Sequence, residues 1–182
     1  MAKRQVVLGI DLGTQRFKLI LLDVREGRVI GEAAERVRTR SPEPGAMEQD
    51  PKEWWQICSR LIRELISAQG ISSTEVLGIG LSGEMHSLLL LDEWGNPTHP
   101  VVLWNDSRAA TWRGNLESID DKLWNPSGAA YTALKLLWLK DRNPGAFGKA
   151  KAMIYPKDYL RYKLTGSIGT DPSDASGSLL WD

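Results

Sequence analysis

Apolar residues in the first forty positions come in short runs, Val6–Ile10, Phe17–Leu22 and Arg28–Val37. Each is bounded by turn-forming or polar residues, and together they predict three strands. Asp23-Val24-Arg25-Glu26-Gly27 separates the second run from the third, and links this short join strands into an antiparallel meander. The proline-rich stretch Ser41-Pro42-Glu43-Pro44-Gly45 reads as a loop. The period then changes. Trp54, Cys58, Leu61 and Leu65, bordered by Trp55, Ile62 and Ile66, recur at helical spacing and predict one broad apolar face. Asp50 as N-cap, Pro51 at the first position and Glu53 at the third mark the start of that helix. Gly70 closes it as the C′ residue. Glu75–Ser82 reads as a strand which, after a crossover helix, runs parallel to the first strand. Ser87–Leu91 and Pro100–Trp104 flank Glu93-Trp94-Gly95-Asn96-Pro97 and read as a hairpin. Helical patterns follow over Ser107–Glu117, over Leu134–Asp141 (stopped by Asn143-Pro144) and over Lys157–Leu164, which ends at Gly166.

With 182 residues the chain is long enough for one domain with a substantial core, and one domain over 1–182 is expected. Lys+Arg and Asp+Glu both total 23, so net charge makes no electrostatic case for nucleic acid or membrane as a partner. Val6–Ile10 is far too short to span a bilayer, and Met1–Gln5 lacks the pattern of a cleaved leader. Cys58 is the single cysteine; no intrachain disulfide can form, and a cytoplasmic location is expected. Trp54, Trp55, Trp112 and Trp138 fall on helical apolar faces and are read as core.

Three clusters carry candidate chemistry. The first is Gly9-Ile10-Asp11-Leu12-Gly13-Thr14 with Lys18 in the strand beyond. A hairpin tip with a carboxylate, a glycine amide, a hydroxyl and an ammonium has the groups that hold a metal-bound phosphate. Turns also favour Asp and Gly for backbone reasons alone, so an ordinary hairpin explains the same residues. The second is Gly83-Glu84-Met85-His86 after a strand, at the carboxyl edge where open α/β sheets bind ligands; His86 as a hydrogen-bonded core histidine is the alternative. The third is Trp104-Asn105-Asp106-Ser107-Arg108. An indole face with an amide, a carboxylate and a guanidinium suits the C–H face and hydroxyls of a sugar, while Asp106 or Ser107 can equally cap the next helix. Asp171, Ser173 and Asp174 form either a metal or substrate edge or a solvated turn.

Taken with Glu48-Gln49-Asp50-Pro51-Lys52-Glu53-Trp54-Trp55, Lys135-Leu136-Leu137-Trp138, Tyr155-Pro156-Lys157-Asp158-Tyr159-Leu160, Leu164-Thr165-Gly166 and Thr170–Gly177, these clusters make the chain resemble the FGGY family of carbohydrate kinases over nearly its whole length. Met85-His86 and Pro156–Leu160 resemble the xylulokinase-like branch in particular. The resemblance implies an α/β fold of the ribonuclease-H-like type, the fold of actin, hexokinase and the sugar kinases, with a mixed sheet incomplete at its C-terminal end. It implies ATP-dependent phosphorylation of a ketopentose such as D-xylulose, with ATP and Mg²⁺ as cofactors. Asp11 would act near the Mg²⁺–phosphate group through water, with Gly13, Thr14 and Lys18 lining the phosphate loop. Met85 and His86 would contact the sugar, and Trp104, Asp106 and Arg108 would complete its pocket.

In this family the catalytic base is an aspartate of a Gly-rich segment beyond residue 182, and a second domain supplies most of the adenosine site. The chain by itself is therefore expected to lack both, and to turn over no sugar at a useful rate. A non-catalytic module that binds a sugar or a protein, or an inactive truncated product, is the alternative. An unpaired sheet edge would let a homo-oligomer form. Three departures bear on substrate choice. Glu84 stands where the family has glutamine, Gln15 and Arg16 replace small residues after Gly-Thr, and the stretch Asn125–Tyr131 is shortened.

Overall fold

The computed structural model describes residues 4–116 and 131–180. The expectation of a shortened stretch at 125–130, the last residue of the Ser107–Glu117 helix and the terminal Trp181-Asp182 lie outside the described residues. The chain divides into two compact units, residues 1–37 with 52–84 and residues 38–51 with 85–182.

The first unit is built on the expected meander. Strands β1 (Val6–Leu12), β2 (Arg16–Asp23) and β3 (Arg28–Arg36) pair antiparallel in turn. After a two-residue strand β4 (Glu48–Gln49) the chain enters helix α1 (Pro51–Ala68). It returns as β5 (Val76–Gly83), parallel to β1, giving the sheet order β3-β2-β1-β5. Alternation drives the packing. Val6, Leu8, Ile10, Leu12, Phe17, Leu19 and Leu21 are all buried, while their even-and-odd counterparts point away. Trp54, Ile57, Cys58, Leu61 and Leu65 of α1 are buried too, and Trp55, Ile62 and Ile66 border that stripe. A Cβ on Gly31 of β3 would fall 2.9 Å from Leu65 Cδ1, so the glycine lets helix and strand close up. The C-terminus of α1 is a Schellman motif. Gly70 sits at φ +61, its N–H donates to Ser67 O at 3.1 Å, and Ile71 N–H donates to Ile66 O at 3.0 Å.

The second unit carries β4, β6 (Leu89–Leu91), β7 (Val101–Val102), a 3₁₀ segment (Arg108–Leu116), α2 (Thr132–Arg142), α3 (Pro144–Lys149), β8 (Ala152–Ile154), α4 (Pro156–Thr165) and α5 (Pro172–Ser176). Its core is Leu88, Leu90, Val102, Ala109, Leu134, Trp138 and Leu139, with Trp112, Phe147 and Met153 packed against it.

The expected hairpin around Glu93–Pro97 is present only as a tight turn with single bridges, Leu88 to Val102 and Leu91 to Pro97. The main ladders go elsewhere: β6 pairs with β8 and β7 with β4, both antiparallel. Pro97 and Pro100 lack the N–H that a continuous hairpin ladder needs, so the apolar Leu89–Leu91 finds its partner farther along the chain. The segment after Ser107 winds as 3₁₀ rather than α, at a stretch with Thr111, Gly114 and Asn115. Asn143 ends α2 through its N–H to Leu139 O at 2.8 Å. It also starts α3, its Oδ1 accepting from Ala146 N–H at 3.0 Å. Helices α3 and α5 and strand β8 are too short for a periodic signal.

Candidate active site

At the tip of the β1–β2 hairpin Asp11 stands opposite Lys18 in the ladder, and Lys18 Nζ lies 3.4 Å from Asp11 Oδ2. Ile10 and Leu12 turn into the core, so the residue between them must turn out. Both side chains of the pair are about half exposed. The pair therefore adds little stability, and both charges are open to a ligand. Gly13 N–H donates to Arg16 O at 3.1 Å, and a Cβ on Gly13 would meet that oxygen at 3.2 Å. Thr14 is half-buried in the same turn. Arg16 is exposed opposite Arg36 of β3, a pairing of like charges that contributes no stability. Glu84 N–H donates to Leu12 O at 3.0 Å, extending the β5–β1 ladder by one residue. The Glu84 carboxylate thus starts from backbone that adjoins the Gly13-Thr14 turn.

In the second unit Met85 is exposed and His86 half-buried. Leu88 and Val102 exchange backbone hydrogen bonds of 2.8 and 3.1 Å, and the buried Ser87 hydroxyl accepts from Trp104 N–H at 3.0 Å. These bonds lay the Met85–Leu88 and Val102–Trp104 segments side by side, with the Trp104 indole exposed. The structure thus brings Met85, His86 and Trp104 onto neighbouring segments.

Asp106 and Arg108 are engaged differently. Arg108 Nε lies 3.2 and 3.1 Å from the two Asp106 oxygens, and Nη2 lies 2.8 Å from Asp106 Oδ2. Nη2 also donates to Glu48 at 2.6 Å and Nη1 to Glu43 at 2.8 Å. Asp106 takes two backbone N–H groups as well, Met47 at 2.8 Å and Arg108 at 3.0 Å. The guanidinium lies 4.3 Å from the Trp138 ring centroid, stacked as a cation–π pair. Burial disfavours the charge, but the carboxylates of Asp106, Glu43 and Glu48 more than offset this and raise the Arg108 pKa above its ordinary value. Glu43 and Glu48 carried no sequence signal for this role. A hollow of about 610 Å³ in this unit is lined by His99, Arg108, Trp112, Trp138 and Arg142 among others, and by none of Met85, His86 or Trp104.

The turn that carries Asp171, Ser173 and Asp174 resolves into a clamp. Lys157 Nζ lies 2.9 Å from Asp158 Oδ1, 2.6 Å from Asp171 Oδ2 and 2.6 Å from Asp174 Oδ2. Asp171 caps α5, its Oδ1 accepting from Ser173 and Asp174 N–H at 2.9 and 3.3 Å. Lys157 and Ser173 hold the Asp171 carboxyl well below the usual range. Burial pushes the Asp174 carboxyl up, against the pull of Lys157. Burial likewise opposes charge on Lys157, yet its three carboxylates raise its pKa. A lysine in the first turn of a helix faces the unfavourable end of the dipole, and that misfit is the sequence signal which marks Lys157 as partnered. At the other end of α5, Gly177 O lies 2.9 Å from His86 Nδ1, and Tyr131 meets the imidazole edge-on at 5.8 Å. Among the described residues, no group of three His, Cys, Asp or Glu side chains is arranged to hold a metal ion.

Residues 6–182 match the family described as the FGGY family of carbohydrate kinases, N-terminal domain. The chain belongs to that family. It is 39% identical over 181 residues to a xylulose kinase of Staphylococcus epidermidis, covering 98% of this chain and 36% of the relative. To a xylulose kinase of Escherichia coli it is 37% identical, covering 96% and 36% respectively. A crystal structure described as a xyloylose kinase from Brucella ovis superposes with a TM-score of 0.91 at 34% identity, covering 97% of this chain and 38% of that one. A ligand-bound xylulose kinase from Lactobacillus acidophilus gives 0.85 at 25% identity, covering 98% and 38%. The fold is the expected actin/hexokinase-type α/β fold with a mixed sheet. The chain spans a little over a third of the length of these relatives. Among the described residues no helix is long and apolar enough to cross a membrane.

Proposed function

We propose that residues 1–182 form part of one FGGY-type kinase domain and contribute sugar- and phosphate-binding residues to the ATP-dependent phosphorylation of a ketopentose, D-xylulose in the first instance. The observation that carries this reading is the exposed Asp11–Lys18 pair at 3.4 Å on the hairpin tip of a chain whose relatives are xylulose kinases. Its donor set fits a metal nucleotide. A single carboxylate suits a Mg²⁺ that keeps most of its waters and takes its other ligands from phosphate, and an ammonium beside it neutralises phosphate charge. When bound, Mg²⁺-ATP would supply the phosphoryl group and the countercharge. Asp11 would hold the hydrated metal, Lys18 the phosphate oxygens, and Gly13 and Thr14 would shape the turn around them.

On the sugar side Met85, His86 and the exposed Trp104 face would contact the pentulose. Asp106 and Arg108 would complete the pocket from behind, as the ionic wall that holds Trp104's loop in place. The base that takes the sugar hydroxyl's proton, worth roughly 10²–10⁴ in rate, lies outside 1–182 in this reading. A cytoplasmic location accords with the lone, buried Cys58.

The test has two arms on the purified chain. D-xylulose should raise the melting temperature while a coupled ADP-release assay shows no pentulose-dependent turnover. Absence of any D-xylulose effect sinks the sugar site, and robust turnover sinks the assignment of the base to another segment.

A further inference from the structure

We infer that Gly177 is a positioning residue that sets the tautomer and aim of His86, and that Lys157, through Asp171 and Asp174, holds Gly177 in place. This rests on the reading that His86 contacts the pentulose. A carbonyl oxygen only accepts, so the 2.9 Å contact of Gly177 O puts the proton on His86 Nδ1. In the neutral ring Nε2 is then a bare acceptor on the opposite edge, and it has no hydrogen-bond partner among the described residues. Such an atom reads a sugar O–H as donor and gains nothing from a ketone oxygen. It therefore selects the hydroxyl face of the substrate.

The glycine is explained by the imidazole and by nothing else near it. Gly177 has φ −77 and ψ −1, a conformation open to any residue. Yet a Cβ there would lie 2.5 Å from His86 Cε1 and 3.0 Å from Nδ1. Any side chain would displace the ring or break its hydrogen bond. His86 itself is held at φ +64, an uncommon backbone state for a non-glycine residue, with Tyr131 edge-on to its ring. An aim this specific needs a fixed carbonyl. Helix α5 supplies it: Asp171 and Asp174 tie it to Lys157 at 2.6 Å each, and Ser178 O accepts from Ala133 N–H at 3.0 Å just beyond Gly177.

The chain has two histidines, so side-chain ¹⁵N spectra of the full chain at a pH well above the ordinary imidazole value of ~6.5 are simple to read. His86→Asn assigns the signals. Wild type should show His86 protonated at Nδ1 and bare at Nε2. In Gly177→Ala, and in Lys157→Met, the two shifts should move toward the averaged values of a free imidazole, while circular dichroism stays native. D-xylulose affinity should then fall by about 10-fold, the weight of one well-aimed hydrogen bond. A wild-type His86 protonated at Nε2, or shifts unchanged in Gly177→Ala, overturns the role of Gly177. Unchanged shifts in a folded Lys157→Met overturn the clamp. If the tautomer responds as stated but D-xylulose binds wild type, Gly177→Ala and His86→Asn alike, the positioning stands and the sugar contact of His86 falls.

Discussion

Arg108→Met should lower the stability of the chain by about 3–5 kcal/mol, the typical cost of leaving buried carboxylates without their cation. The magnitude follows from exposure. The Arg108 side chain is 10% exposed, Asp106 0% and Glu48 11%, so both acids would face low dielectric without their cation, Asp106 keeping only its two backbone N–H donors. Methionine keeps part of the packing on Trp138 but forfeits the cation–π contact, worth up to about 2 kcal/mol when desolvated. For a chain of this size the loss corresponds to a melting temperature lower by roughly 6–20 °C. Glu43→Gln is the internal control. Glu43 holds the same guanidinium at 2.8 Å but is 58% exposed, so its removal should cost less than about 1 kcal/mol. Urea denaturation at neutral pH, read by tryptophan fluorescence with the slope constrained across variants, measures both. A loss below about 1 kcal/mol for Arg108→Met, or equal losses for the two variants, would refute the claim that burial sets the strength of this network.

Cys58, pushed up to about 12 by burial, should stay inert to thiol reagents in the native chain at pH 8 and react at the rate of unfolding; rapid native labelling contradicts its place in the α1 core. Lys157 has a raised folded pKa, so its contribution is complete below the unfolded value of ~10.4 and is lost as pH climbs through the folded one. Asp171 has a lowered folded pKa, so its share is complete above ~3.9 and is lost as pH falls. The stability gap between wild type and Lys157→Met should therefore be flat through neutral pH and narrow at both extremes; a gap that widens with alkali is the contrary result. Strand β5 has β1 as its one ladder partner among the described residues, and Leu77 and Ile79 are exposed on it. We expect self-association through that edge, seen by sedimentation velocity and reduced in Ile79→Lys; equal association in both would discount the edge.

The first unit was legible because its information is local. The meander, the Asp50-Pro51 start of α1, the Gly70 stop and the parallel return of β5 each follow from residues within a turn or a period of one another. Asp11 was legible for the same reason, since alternation along β1 alone dictates that it faces out across from Lys18. The second unit was harder because its decisive pairings are distant. Leu89–Leu91 finds β8 some sixty residues on, at Ala152–Ile154, and a run of three leucines carries no label for its partner. The sequence reads Asp106 and Arg108 as sugar ligands, with helix capping by Asp106 or Ser107 as the alternative. Their tie to Glu43 and Glu48 is a tertiary fact with no local trace.

Gly177 shows the same limit in a sharper form. Glycine is normally noticed in a sequence where the backbone needs positive φ, as at Gly70 and Gly166. Gly177 has an ordinary backbone, so conformational reasoning passes over it. What excludes a side chain there is an imidazole from a residue ninety-one positions earlier. The same is true of Asp174, whose buried Oδ2 sits 2.6 Å from the Lys157 ammonium. A solvated turn and a clamp use the same residue types, and burial alone separates them. In this chain the hairpin that presents Asp11 is written in its own seven-residue strand. The aim inferred for His86 depends on three places at once, His86, Gly177 and Lys157, and no single local pattern spans them.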